Sequence, residues 1–214
     1  MNINLEILNA SYIFDENEIA ELKTKELVPK MVQRRRLTRA SKIAIYLANE
    51  VEFDNGRIVY GSSFGEIPAT ANILNSIKEE ESISPTHFQN SVYNTAVSYL
   101  SMLTNNKSEI LTISSGDKTS SQVLKAGAIK ALDGDTLLLL GTETFNIPNI
   151  EEVNSCKNNL ECGVALKVKV TEMSPTLDIN LEEQIDKIPN SLSSMFNIAM
   201  KFDKSKQNII KIEI

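Results

Sequence analysis

Histidine is nearly missing from this 214-residue chain, with His87 alone, and cysteine is scarce, with Cys156 and Cys162 alone. Two cysteines separated by five residues, with no histidine nearby, make no zinc signature and allow at most a single disulfide. They read instead as reduced thiols in a polar, loop-like stretch over residues 146–162. Long hydrophobic runs are lacking too, which excludes a membrane-spanning helix. The first residues do not have the charged-then-apolar layout of a signal peptide, so a cytoplasmic protein is expected. Positive charge is in deficit: the net charge is −6, which argues against nucleic-acid and anionic-membrane partners. No G-x-S-x-G, G-x-G-x-x-G or Walker lysine occurs, and no fixed-period repeat.

What remains is an ordinary globular composition, with 42% hydrophobic residues in a length suited to a single domain over residues 1–214. Ile3, Leu5 and Ile7 alternate with polar residues and predict an opening strand. After a charged stretch interrupted by Pro29, Thr38 is placed to cap a helix with Ala40, Ile43, Ala44, Leu47, Ala48 and Val51 on one face. Residues 57–60 form a strand ending at Gly61, and a helix from about Pro68 is expected to bury Ile73, Leu74 and Ile77.

The stretch from Ser84 to Glu143 is the organising one. Phe88, Val92, Ala96, Tyr99 and Leu103 mark one helix face. On its opposite face, Asn94, Val97 and Ser101 form a small, mildly polar surface suited to a subunit contact. A strand over residues 110–113 follows, then the turn Ser114, Ser115, Gly116 and Asp117, then a helix through Val123, Leu124, Gly127, Ala128, Ile129, Ala131 and Leu132. The run Leu137 to Leu140 reads as a central strand buried on both faces, parallel to the strand at 110–113. Towards the end, Val164, Leu166, Val168 and Val170 alternate, Leu192, Met195, Phe196, Ala199 and Met200 recur at helical spacing, and Ile210, Ile212 and Ile214 alternate again. The last strand is expected antiparallel to the one at 164–170. The fold class is α/β, with a mixed sheet, a parallel centre, antiparallel C-terminal strands and helices packed on it.

Three sets of residues invite chemistry. Ser114 and Ser115 lie at a strand-to-helix turn, where nucleophiles and anion-binding amides occur; plain turn residues are the competing reading. His87 has no evident nucleophile or carboxylate partner for base catalysis. Arg34, Arg35, Arg36 and Arg39 form a local basic cluster that could steer an acidic partner.

The succession Leu27-Val28-Pro29, Arg34-Arg35-Arg36-Leu37-Thr38-Arg39, Ile58-Val59-Tyr60-Gly61-Ser62-Ser63, Gly65-Glu66, Ser84-Pro85-Thr86, Phe88 and Ser91-Val92-Tyr93-Asn94 resembles the β-ketoacyl synthase-like N-terminal domain family over residues 24–150. Residues 151–214 carry no matching motif but are compatible in kind. The resemblance implies half of a thiolase-like fold, with a helix layer left uncovered in the single half. It implies that the nucleophilic cysteine's place is taken by Ile113, ahead of Ser114, Ser115 and Gly116, and that the chain stops before the half that supplies the catalytic histidines. It therefore implies no independent condensing activity, no cofactor and no metal. The expected role is a chain-length-factor-like partner of an active ketosynthase, or a homo-oligomer, in fatty-acid-like, polyene or polyketide biosynthesis. Arg34, Arg35, Arg36 and Arg39 would then contact that partner or an acyl carrier protein. The alternative is a small acyl-transfer or hydrolytic enzyme using Ser114, Ser115 or His87.

Overall fold

Ile3, Leu5 and Ile7 do form a strand, β1 (Asn2–Asp15), with these three side chains buried. The computed structural model describes residues 1–147, 161–181 and 183–214. With β2 (Arg57–Gly61), β3 (Ile110–Ile113), β4 (Leu137–Thr144), β5 (Glu161–Thr171) and β6 (Ile209–Glu213), β1 builds a six-stranded mixed sheet ordered β3-β2-β4-β5-β1-β6. β3, β2 and β4 run parallel, and every later pairing is antiparallel.

β3 and β4 run parallel, as the sequence reading expects, with β2 between them and Ile58 opposite both Ile110 and Leu138. One pairing differs. β6 pairs with β1 (Ile3 opposite Ile212), so it runs the same way as β5 and is not its antiparallel neighbour. Alternation marks which face of a strand is buried, not which strand lies beside it.

The helices are α1 (Thr24–Leu27), α2 (Met31–Arg34), α3 (Arg39–Glu50), α4 (Ile67–Lys78), α5 (Pro85–Asn90), α6 (Thr95–Thr104), α7 (Thr119–Lys130) and α8 (Asn190–Lys201). Thr38 caps α3 as expected, its Oγ1 accepting from the Ser41 amide at 3.1 Å. Ile43, Leu47, Val97 and Leu100 of α3 and α6 pack on Ile58, Tyr60, Leu138 and Leu140 on one sheet face. Val123, Leu124, Leu192, Met195 and Phe196 of α7 and α8 pack on Val59, Leu137, Leu139 and Leu166 on the other. The run 137–140 is thus central and buried on both faces, as predicted. Gly127 permits the close seat of α7: a Cβ there would lie 2.5 Å from the Leu139 side chain.

α8 and the segment before it cover part of the helix layer on the α7 face, which narrows the expected uncovered layer to the outer side of α7. Residues 191–199 of α8 are all buried. Leu177, Ile179, Leu181 and Ile185 pack against the same core. The strap holds by Ser194 donating to the Leu181 carbonyl and Asn197 to the Glu183 carbonyl, each at 2.7 Å. Ile129 on α7 and Leu132 just beyond it stay about half exposed.

A second correction concerns residues 85–104. The chain breaks after Asn90 and restarts as α6, so the helical phase of Phe88 and Val92 is not continued. Phe88 and Val92 are exposed, whereas Val97 is fully buried with Ala96 and Leu100 against α3. Leu74 and Ile77 also face outward, because Ala69 is the one buried residue of α4. Cys162 is buried in β5, opposite Glu143, and not in a loop; Cys156 lies outside the described residues. Among the described residues no helix is long and apolar enough to cross a membrane.

Candidate functional site

Parallel strands release their connections at their carboxyl ends, and a crevice opens where neighbouring connections leave to opposite faces. β2 and β3 make such a pair. From β2 the chain passes through α4 and α5 to α6 on one face, and from β3 it enters α7 on the other. The two exits, residues 62–66 and 114–118, are therefore brought together, and the Ser114 hydroxyl donates to the Ser63 carbonyl at 3.3 Å.

The exit from β2 is held from below by Glu143 near the end of β4. Its carboxylate accepts from the Ser63 amide (2.6 Å), the Phe64 amide (3.3 Å), the Ser62 hydroxyl (3.0 Å) and the Ser191 hydroxyl of α8 (2.9 Å). Ser62 Oγ in turn accepts from the Gly65 amide at 2.9 Å. Burial pushes the Glu143 carboxyl up to about 7, against these donors, which favour the charged form. Glu66 behaves alike: it is nearly buried, accepts from Thr38 Oγ1 at 2.6 Å, and is pushed up to about 7 by burial. Tyr60, between them, is raised by burial and hydrogen-bonds Thr142 Oγ1 at 2.6 Å.

The exit from β3 offers little chemistry. Ile113 is half-buried and packs against the α7 core. Ser114, Ser115 and Gly116 are exposed. Thr119 Oγ1 accepts from the Ser115 amide at 3.0 Å and donates to the Gly116 carbonyl at 2.7 Å, closing the turn. Gly116 sits at the tip with φ +56, and nothing lies within 4 Å of where a Cβ would stand. No hydrogen bond among the described residues joins His87, on α5, to either serine.

The remaining predicted positions separate. Arg39 lies inside: its Nε donates to Glu161 Oε1 at 2.7 Å, it pairs with Glu18 at 2.8 Å, and its Nη2 donates to the Ile19 carbonyl. Arg34 turns back onto the Val28 carbonyl at 2.7 Å. Arg35 and Arg36 are exposed. Asn94 is exposed ahead of α6, and Ser101, half-buried, donates to the Asn106 carbonyl at 2.6 Å. Val97 belongs to the core, so these three residues share no surface.

Sequence reasoning missed Glu143 and Glu66. The available signal was a carboxylate closing the otherwise uncharged stretch Leu137 to Glu143, since a charge inside a buried strand has to meet donors.

The family model for the β-ketoacyl synthase N-terminal domain matches residues 12–209. No curated protein matches the chain in sequence. Among solved structures, it is similar to a chain of the ketosynthase (ApeO) in complex with its chain length factor (ApeC) from Xenorhabdus doucetiae, at 20% identity and a TM-score of 0.64 over 82% of this chain and 85% of that one. The ishigamide ketosynthase/chain length factor matches at 12% identity and a TM-score of 0.57, over 70% of this chain and 48% of that one. AntDE:AntF, a type II PKS acyl-carrier protein in complex with its ketosynthase, matches at 12% identity and a TM-score of 0.61, over 80% and 64%. At these identities the likeness is one of fold, and the chain spans about half the length of the ishigamide protein.

Proposed function

The chain belongs to the β-ketoacyl synthase N-terminal domain family, and we propose that it serves as a non-catalytic, chain-length-factor-like subunit of an active ketosynthase in fatty-acid-like, polyene or polyketide biosynthesis. The observation that carries the proposal is the turn between β3 and α7. Condensation by this family's chemistry needs a thiolate that takes up the acyl chain. In the sequence register that place falls on Ile113, an alkyl side chain packed on the core, and the tip of the turn is Gly116, without any side chain. Neither can carry an acyl group. Among the described residues no base is hydrogen-bonded to the neighbouring Ser114 and Ser115, so the hydrolytic alternative gains no support.

A sheet edge that no strand among the described residues covers supports the partner half of the proposal. β3 ends the sheet, and its segment Ile110, Leu111, Thr112, Ile113 carries no charge. The Glu109 and Ile113 carbonyls accept from the amides of Ile58 in β2 and Ser62 just after it, so the backbone groups of Ile110 and Thr112 point away from the sheet. Uncharged edges of this kind are usually covered. The opposite edge, β6, carries Lys211 and Glu213.

Co-expression with a ketosynthase encoded beside this chain, followed by size-exclusion chromatography, tests the proposal. A stable complex is expected. A chain that elutes alone beside every ketosynthase offered would overturn it.

A further inference from the structure

Residues 62–66, which carry the chain out of β2, are tied to most of what surrounds them. Glu143 of β4 takes the Ser63 and Phe64 amides and, through the Ser191 hydroxyl, links them to α8. Glu66 takes the hydroxyl of Thr38, the cap of α3. The Ser63 carbonyl accepts from Ser114 in the turn after β3. Gly65, at φ +60, lies against the half-exposed ring of Tyr93, which a Cβ there would approach to 3.1 Å. Phe64 meets the buried Phe145 edge-on, with ring centroids 4.9 Å apart. Both carboxyls are buried, and neither enters an ion pair among the described residues. The titratable groups beside them are Tyr60 of β2, which feels both, Tyr99 of α6 beside Glu66, and Cys162, opposite Glu143 in β5. Further out, the exposed Arg36 acts on Tyr99, and Asp117 accepts from Asn190, next to Ser191.

We infer that residues 62–66 form a proton-operated latch, shut over neutral Glu143 and Glu66 and loosened when the two ionise, so that Ser114 and Tyr93 lose the seat the exit gives them. The closed exit suits the neutral acid. Two of the four donors to Glu143 are hydroxyls, and one can turn to accept the carboxyl proton while the two amides still donate to the carbonyl oxygen. It suits the anion poorly, because a buried charge without a counter-ion lacks the solvation that an opened loop supplies. Burial accordingly raises both carboxyls to about 7. Once open and hydrated, a glutamate titrates near ~4.3. The closed exit therefore holds more protons, and its advantage, full below about pH 4.5, is lost as pH rises through about 7. From about pH 5.5 to about pH 8 the opening constant should rise about thirtyfold for each carboxyl.

The test is amide hydrogen exchange of the full 15N-labelled chain by NMR over that pH range, with each rate divided by the intrinsic rate at the same pH. The Ser63 and Phe64 amides, which Glu143 holds, report on the latch. The Leu139 amide, in a strand paired on both sides, reports on global unfolding. At each pH the two latch amides should open far more often than Leu139, and their opening constant should climb at least about thirtyfold from about pH 5.5 to about pH 8. Glu143→Gln, which keeps the shape of the neutral acid, should remove about thirtyfold of that rise, and adding Glu66→Gln should level the profile. Circular dichroism keeps the folded variants apart from unfolded ones, and the wild-type profile stands as a test without them. A wild-type opening constant that stays level with pH, latch amides that open no more often than Leu139, or a rise untouched by the two glutamines would each overturn the inference.

Discussion

Glu143 of β4 accepts a hydrogen bond of 2.9 Å from the hydroxyl of Ser191, at the start of α8. The same carboxylate holds the amides of Ser63 and Phe64, so one buried group fixes the exit of β2, the end of β4 and the second helix of the α7 face together. Four donors and no cation surround it among the described residues.

Stability should therefore depend on pH in an uncommon direction. Glu66 and Glu143 both titrate at about 7 in the folded chain, because burial disfavours their charged forms. In the unfolded chain a glutamate titrates near ~4.3. Between those values the folded state holds more protons, so this contribution is full below about pH 4.5 and is lost as pH rises through about 7. The melting temperature at about pH 5.5 should exceed that at about pH 8, and Glu143→Gln should flatten part of the slope. A wild-type melting temperature that climbs steadily from acid to alkaline pH would contradict the assignment.

Incubation with acyl-carrier-protein thioesters should leave the mass of the chain unchanged, since the turn at Ile113 and Gly116 presents no thiol. Intact-mass spectrometry decides it. Stoichiometric acylation, on Ser114, Ser115 or elsewhere, would promote the enzyme reading.

Val97→Arg should unfold the protein and not merely separate subunits. The side chain is fully buried between α6 and α3, and an unpaired charge there costs about 3–5 kcal/mol. Urea denaturation measures the loss; a variant as stable as wild type would place Val97 outside the core.

Thr112→Pro removes an amide hydrogen that points away from the sheet and leaves the bonds of β3 to β2 in place. A folded variant that no longer associates with its ketosynthase is expected. Association unchanged by size-exclusion chromatography would locate the contact away from this edge.

The sequence by itself determined the local elements wherever periodicity and burial agree. Thr38 and the apolar stripe through Val51 gave α3, the run 137–140 gave a strand buried on both faces, and Ile3, Leu5 and Ile7 gave β1. It also determined that no thiol stands at the turn after β3. Only the tertiary structure decided which strands are neighbours, because alternation fixes a face and leaves the partner open; hence β2 between β3 and β4, and β1 between β5 and β6. It decided that Arg39 lies inside and Arg35 outside, since identical guanidinium groups are sorted by the carboxylates that the fold brings near, here Glu161, 122 residues away. It decided the breadth of the α7 face as well: a helix and strap from the last part of the chain cover part of a layer that the helical pattern of α7 marks as apolar without saying what will cover it, and leave Ile129 half exposed.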